Sequence, residues 1–195
     1  MSATDRRVLV VGVGNVLHGD DGFGVEVAWR LARKTLPPNV KVMETGIGGM
    51  SIVQELMQGY DAVLVIDAHE AGGVPGSVRM VAPMLPDLSD LDAHALRDYF
   101  ADTHYATPMR ALAFAQRIGK LPAIVRVLGC EPLEHKDLKW SLSPPVAAAV
   151  DGAVEMALLW LEELRSPPCP ADSAPAQSGR RSVPGPVAAA PRQKR

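Results

Sequence analysis

Cysteine is scarce in this chain of 195 residues, which contains only Cys130 and Cys169. Because these two residues lie far apart, they indicate neither the disulfide framework of a small secreted domain nor a zinc-binding knuckle. A strong net charge is also lacking, since 20 Lys and Arg residues face 22 Asp and Glu residues and the formal net charge is −2. Nucleic-acid binding usually requires a basic field, which this balance does not supply. We therefore expect no nucleic-acid partner.

Long apolar runs are missing near the amino terminus. Two arginines precede the apolar stretch from Val8 to Val13, but the stretch contains glycine and passes directly into polar Asn15. It is too short for the core of a signal peptide or for a membrane span, which needs about 20 apolar residues. The expectation is a cytoplasmic, soluble protein with no membrane partner.

The composition divides the chain into two parts. Hydrophobic residues make up 47% of the sequence and charged residues 22%, which supports one globular domain with a core. From residue 166 onward the chain is rich in Pro, Ala, Ser and Arg and has almost no large apolar residues. Such a segment buries too little surface to offset the entropy lost on ordering. We predict a folded domain over residues 1–165 and a disordered tail over residues 166–195.

Strand-like and helix-like periodicities alternate along the predicted domain. Apolar segments typical of strands cover residues 6–14, 40–46, 61–68, 76–83 and 123–130, and the fourth alternates as edge strands do. Helical patterns cover residues 22–36, 50–59, 94–100, 107–119 and 143–165. In the first of them Val25, Ala28, Leu31 and Ala32 are predicted to form the buried stripe. Thr107, directly before Pro108, is the predicted N-cap of the fourth. This order predicts an α/β fold, namely a three-layer sandwich in which a twisted, mostly parallel five-stranded sheet has helices on both faces.

Acidic and imidazole side chains follow several of the predicted strands. Ligands of such sheets bind outside the carboxyl ends of the strands, so these side chains are candidate site residues. The set comprises Asn15, His18, Asp20, Asp21, Glu44, Asp67, His69, Cys130, Glu131 and His135, together with His104 before a helix. Carboxylates accompanied by histidine suit a divalent cation such as nickel or zinc.

The glycines after the first strand also allow a nucleotide-binding interpretation. Gly12 and Gly14 match the start of a dinucleotide fingerprint, and Glu44 stands where an acid would bind a ribose. However, Leu17 occupies the position of the third glycine, and the adjacent pair Asp20 and Asp21 would repel a pyrophosphate. A nucleotide-binding α/β domain therefore stays open as an alternative.

Each candidate also has an ordinary structural explanation. Asp20 or Asp21 could cap the first helix. Asp67 follows five apolar residues and is expected to end up half-buried, where a carboxylate needs a partner. His104, taken alone, is typical of a loop histidine.

Four segments, in this order and spacing, resemble the NiFe-hydrogenase maturation endopeptidases. They are GVGNVLHGDDGFGVEVA, LVIDA, the histidine preceding MRALAFAQRIG, and LGCEP, and the resemblance extends from Arg7 to about Leu161. It implies a twisted five-stranded sheet between helices and an endopeptidase that acts on the precursor of the hydrogenase large subunit. The enzyme would remove the carboxyl-terminal extension of that precursor once nickel is inserted.

The resemblance also implies the site residues. In this family two acids and one histidine bind the nickel that marks the loaded precursor, and zinc or another divalent ion could substitute for it. The acids match Asp21 and Asp67, and the histidine matches His104. These three residues are accordingly the predicted catalytic and metal-binding residues.

The usual protease nucleophiles are absent from the sequence. There is no Gly-x-Ser-x-Gly motif, and Cys130 has no obvious base beside it. Either a metal polarises the scissile carbonyl and activates water, or nickel only positions the precursor and Asp21 or Asp67 is the general base. A nickel-binding accessory protein without catalysis is a further alternative.

Overall fold

One five-stranded sheet forms the centre of the computed structural model, which describes residues 5–46, 49–92, 94–97, 107–134 and 138–166. Its strands are β1 (Val8–Gly12), β2 (Val40–Glu44), β3 (Ala62–Ala68), β4 (Val78–Val81) and β5 (Ile124–Cys130). The principal helices are α1 (Phe23–Ala32), α2 (Gly49–Leu56), α3 (Pro108–Arg117) and α4 (Pro144–Arg165). Nearly all of the predicted tail lies outside the described residues.

The strands are arranged in the order β2-β1-β3-β5-β4. The strands β2, β1, β3 and β5 pair in parallel with one another, and β4 pairs antiparallel with β5 at the edge of the sheet. The predicted mostly parallel sheet is therefore confirmed, and so is the edge position of the fourth strand. Because the chain passes from β1 to β2 on one side and to β3 on the other, the carboxyl ends of β1 and β3 flank a topological switch point.

Alternating residues of the buried strands face two separate cores. Val8, Val10 and Leu64 belong to the core under α1 and α4, whereas Leu9 and Val63 belong to the core under α2 and α3. The continuous apolar runs in β1 and β3 follow directly from this arrangement, since both faces of the sheet are covered.

The helices follow the predicted apolar patterns with one exception. Val25, Ala28 and Leu31 of α1 are buried as predicted, but Ala32 is exposed because α1 ends there. Thr107 caps α3 as predicted, its side chain accepting a hydrogen bond from the Arg110 amide at 3.4 Å.

The last helix, α4, is long and apolar enough to cross a membrane by length and composition alone. Its apolar stripe, including Val150, Ala157 and Leu161, instead packs into a core on the sheet. At its carboxyl end, the guanidinium of Arg6 donates a hydrogen bond to the carbonyl of Leu164 at 2.8 Å. A cation in this position also complements the helix dipole. The first and last described segments are thereby joined beside the amino ends of the strands.

Helix α1 approaches the sheet most closely at Gly24. A methyl group on Gly24 would collide with the carbonyl oxygens of Ile66 and Val13, at the carboxyl ends of β3 and β1. Only glycine therefore lets the first turn of α1 lie against these two strands. The contact holds the loop before α1 next to the end of β3.

We expect Gly24→Ala to lower the free energy of unfolding by about 1–3 kcal/mol, because the added methyl group overpacks a contact with backbone atoms. Gly152→Ala is the matched control, since Gly152 lies inside α4 with open space around its Cα. That change should raise the free energy of unfolding by up to about 1 kcal/mol through helix propensity. Denaturant unfolding of both variants measures the difference. Equal stability of Gly24→Ala and the wild type would contradict the close approach.

Candidate active site

The loop after β1 and the end of β3 place two aspartates at the switch point. Asp21 lies in a short 3-10 helix, Gly19–Gly22, that immediately precedes α1. Asp67 is the penultimate residue of β3 and faces the same side of the sheet as Val63 and Val65. The two carboxylates therefore lie near the carboxyl ends of the neighbouring parallel strands β1 and β3, at the edge where such sheets bind ligands.

A compact loop holds Asp21. The backbone amide of Asn15 donates a hydrogen bond to the Asp21 carboxylate at 2.7 Å. Gly14 adopts a φ of +134°, and a side chain there would collide with the carbonyl oxygen of Asp21. The backbone of Gly14 therefore packs directly against Asp21, while the amide of the next residue, Asn15, binds the Asp21 carboxylate. Together these contacts fix the position of that carboxylate.

The environment of Asp67 disfavours its charged form. Burial is the main cause and the negative charge of Asp21 the second, and together they raise the pKa of Asp67 to about 8. The backbone amide of Ala68 offsets only part of this effect. Both causes favour the protonated form of Asp67, and Asp21 lies near enough for its charge to act on Asp67.

Asp20 has a role that the sequence did not reveal. The sequence allows Asp20 a role as the cap of the first helix, but its side chain makes no capping bond there. It is fully buried and accepts hydrogen bonds from the amides of Leu133 and Glu134 at 2.8 and 2.9 Å. The amide and hydroxyl of Ser143 donate to it at 2.6 and 2.8 Å. The predicted helix-capping role is therefore wrong, because these donors occupy the carboxylate.

These four donors determine the ionisation of Asp20, and through them its carboxylate connects separate segments beside the candidate site. Burial opposes ionisation, but the hydrogen bonds outweigh it and hold the pKa of Asp20 below its ordinary value. The carboxylate joins the loop carrying Asp21 to the loop after β5 and to Ser143, the residue before α4. No motif indicates this link, because Asp20 and its donors are more than one hundred residues apart.

The remaining predicted acids serve different purposes. Glu131 is buried, and its carboxylate accepts hydrogen bonds from the amides of Ala71 and Gly72 at 2.9 and 3.1 Å. Glu44 is exposed at the end of β2, in an open cleft of about 330 Å³ shared with Asn15 and other loop residues. Glu131 therefore orders a loop, whereas Glu44 is accessible but is not shown to interact with the carboxylate pair.

The predicted histidines and cysteine do not complete a metal site within the described residues. His18 lies in a β-bridge with Lys139, and His69 lines a pocket of about 170 Å³ beside β5. His104 and His135 lie outside the described residues. Among the residues that are described, no three His, Cys, Asp or Glu side chains form a cluster that could hold a metal ion.

Cys130 is not a suitable nucleophile. It is buried, and burial together with the charges of Asp20 and Glu131 raises the pKa of its thiol to about 11. The thiolate needed for nucleophilic attack is therefore negligible at neutral pH.

Comparison with known proteins points to a single family. A family model described as hydrogenase maturation protease matches residues 25–160. The hydrogenase expression/formation protein HupD of Rhodobacter capsulatus is 35% identical over 163 residues, which cover 83% of this chain and 72% of that protein. The corresponding protein HoxM of Azotobacter vinelandii is 32% identical over 165 residues, with 82% and 74% covered.

Solved structures extend the comparison to the fold. A hydrogenase 2 maturation peptidase from a Thaumarchaeota archaeon is 33% identical with a TM-score of 0.58, and the match covers 80% of this chain and 98% of that one. The hydrogenase maturating endopeptidase HybD of E. coli is 24% identical with a TM-score of 0.65, covering 80% and 93%. At that identity the second likeness supports the fold alone.

The separate roles of the adjacent residues Asp20 and Asp21 can be tested by comparing the stability of their variants. We expect Asp20→Asn to lower the free energy of unfolding by about 3 kcal/mol, because an amide cannot accept all four hydrogen bonds and one donor group loses its partner. Asp21→Asn should change it by less than about 1 kcal/mol, because Asp21 accepts one hydrogen bond, from the amide of Asn15, and its charge disfavours ionisation of Asp67. Denaturant unfolding at neutral pH compares the two. A loss in Asp21→Asn as large as that in Asp20→Asn would refute these separate roles.

The raised pKa of Asp67 predicts a dependence of stability on pH. The folded-state pKa of about 8 exceeds the ordinary value of 3.8, so the unfolded chain releases this proton at lower pH than the folded chain does. The contribution of Asp67 to the free energy of unfolding therefore falls as the pH rises from about 4 to about 8.

Asp67→Asn removes this titration. In metal-free protein with chelator present, the stability of the variant relative to the wild type should increase steadily from about pH 4.5 to about pH 8. Unfolding curves for both proteins across this range measure the difference. Curves that stay parallel would show that the environment of Asp67 does not disfavour its charge.

Proposed function

Since the chain belongs to the hydrogenase maturation protease family, we propose that it removes the carboxyl-terminal extension from the nickel-loaded precursor of a NiFe-hydrogenase large subunit. The reaction is hydrolysis of one peptide bond, and it completes the maturation of that subunit. The cytoplasm, where we expect the precursor to be loaded, is the predicted compartment.

The observation that carries the proposal is the pairing of Asp21 with Asp67. The pair lies at the carboxyl edge of the sheet, and the charge on one carboxylate raises the pKa of the other. Carboxylates whose charges act on each other in this way repel, and a proton or a cation reduces that repulsion. A divalent cation carried by the substrate would supply that charge.

The proposed donor set suits nickel, because it combines two carboxylates with an imidazole. Asp21 and Asp67 would contribute carboxylate oxygens, and His104, which the family resemblance implies as the third ligand, would contribute an imidazole nitrogen. Nickel held there would supply a recognition mark for the loaded precursor and a Lewis acid next to the scissile bond. Because Asp67 must release its proton to bind a cation, nickel affinity should fall as the pH is lowered below about 8.

Two ways of activating water are compatible with this pair. In the first, both carboxylates are ligands, and they orient the loaded precursor while the cation polarises the bond to be cleaved. In the second, nickel only positions the precursor, and one carboxylate accepts the proton of the attacking water as the general base. In both cases the protein provides two fixed carboxylates and no covalent nucleophile.

The loop after β1 offers little to a nucleotide. A phosphate site needs free backbone amides, but the amide of Gly14 donates to the carbonyl of Gly46 at 3.0 Å. The next amide, that of Asn15, donates to the Asp21 carboxylate. These contacts favour the peptidase over the nucleotide-binding alternative.

Cleavage of a nickel-loaded large-subunit precursor tests the proposal. We expect the wild-type protein to shorten the precursor by the mass of its extension, and Asp21→Asn and Asp67→Asn to leave it uncleaved while remaining folded. His104→Ala should behave like them. Mass spectrometry of the precursor measures the product, and circular dichroism checks the fold of each variant.

Glu44→Gln is the matched control, because Glu44 is an acid on the same rim but outside the pair. It should leave the cleavage rate within about twofold of the wild type. Loss of function in Glu44→Gln with retained activity in Asp21→Asn would favour the nucleotide-binding alternative. Nickel-dependent binding of an uncut precursor by the wild type would instead identify an accessory protein without catalysis.

A further inference from the structure

Two loop segments beside the carboxylate pair expose large apolar side chains. We define the apolar ribbon as residues 16–18, which follow β1, and residues 138–140, which precede α4. Trp140 is 84% exposed and Leu138 is 78% exposed, and Val16 and Leu17 are exposed by 38% and 37%. A soluble protein rarely displays such side chains next to one another without a partner to cover them.

Backbone hydrogen bonds join the two segments into one surface. The amide of Lys139 donates to the carbonyl of Leu17 at 2.9 Å, and the amide of Gly19 donates to the carbonyl of Lys139 at 2.7 Å. His18 and Lys139 form a parallel β-bridge, so Leu17 and Leu138 occupy equivalent positions one residue before it. Leu17 and Leu138 therefore lie next to each other, with Val16 and Trp140 on either side of them along the two segments.

The ribbon is attached to the rest of the protein on both sides. Asp20 lies two residues after His18, the last residue of the first ribbon segment. Its buried carboxylate binds Ser143, three residues after Trp140. A salt bridge between Lys139 and Glu134, 2.7 Å in length, adds a charged border. An apolar centre with a polar border is the usual composition of a protein-protein interface.

The ribbon is continuous with the candidate active site. Val16 directly follows Asn15, whose amide binds the Asp21 carboxylate, and Val16 also lines the open cleft beside Glu44. A protein substrate whose extension reaches Asp21 would therefore pass beside the loop segment that carries Val16 and Leu17.

We propose that the apolar ribbon docks the folded body of the hydrogenase precursor, through an apolar patch next to the extension that is removed. This proposal rests on the proposed function, and it assigns substrate affinity to residues that take no part in cleavage. Trp140 is the expected centre of the contact, because buried tryptophan commonly contributes most to binding at interfaces.

The double variant Leu138→Ser/Trp140→Ser tests this assignment. We expect the KM for the nickel-loaded precursor to rise at least about tenfold while kcat stays within about twofold, because docking is lost and the carboxylate pair is intact. The matched control is Met57→Ser/Leu159→Ser, since these side chains are 55% and 60% exposed, directly after α2 and on α4. The control should retain the wild-type KM.

Direct binding separates failure of this proposal from failure of the proposed function. The affinity of each protein for the loaded precursor is measured by biolayer interferometry, and its own oligomeric state by sedimentation. Weaker precursor binding by the ribbon variant supports docking even if the wild type does not cleave. Unchanged binding and KM overturn the proposal, and so does a wild-type dimer that the ribbon variant converts to a monomer, since the ribbon then covers a second copy of the chain.

Discussion

The buried carboxylate of Asp20 is the interaction on which the geometry of the site depends. It brings together three segments that are remote in sequence: the turn before α1, the loop after β5 and the residue preceding α4. A charged group can remain buried only when enough donors surround it, and here two amides plus the amide and hydroxyl of Ser143 do so. Because Asp21 is the next residue along the chain, fixing Asp20 also restricts the position of the carboxylate that is proposed to act on the substrate. Two chemically identical neighbours thus have separate tasks, one structural and one proposed to be functional.

Much of the fold could be predicted from periodicity, because the sheet is buried on both faces. The runs that became β1 and β3 are continuously apolar, and only parallel strands covered by helices on two sides require this. The strand order could not be predicted in the same way, since nothing in the apolar pattern of β4 specifies its antiparallel pairing with β5. Ala32 was wrongly included in the buried stripe of α1 because a helical pattern does not mark the last residue of its helix.

The candidate site could be predicted from the sequence only in part. Asp21 follows β1 and Asp67 lies at the end of β3, and the carboxyl ends of these parallel strands are adjacent, so their proximity could be expected from topology. The roles of Asp20 and Glu131 could not, because each binds backbone amides of a loop that carries no recognisable motif. The predicted ligand His104 lies outside the described residues, and its role stays a prediction from the family resemblance.

The hydrogen bond between Arg6 and the end of α4 has a practical consequence for handling the protein. Both ends of the described chain lie beside the amino ends of the strands, whereas the carboxylate pair lies at their carboxyl ends. A protein attached to a support at Ser166 would hold the carboxylate edge facing the solution. Surface-based assays with a bulky partner can therefore use that position for attachment without obstructing the approach of the partner.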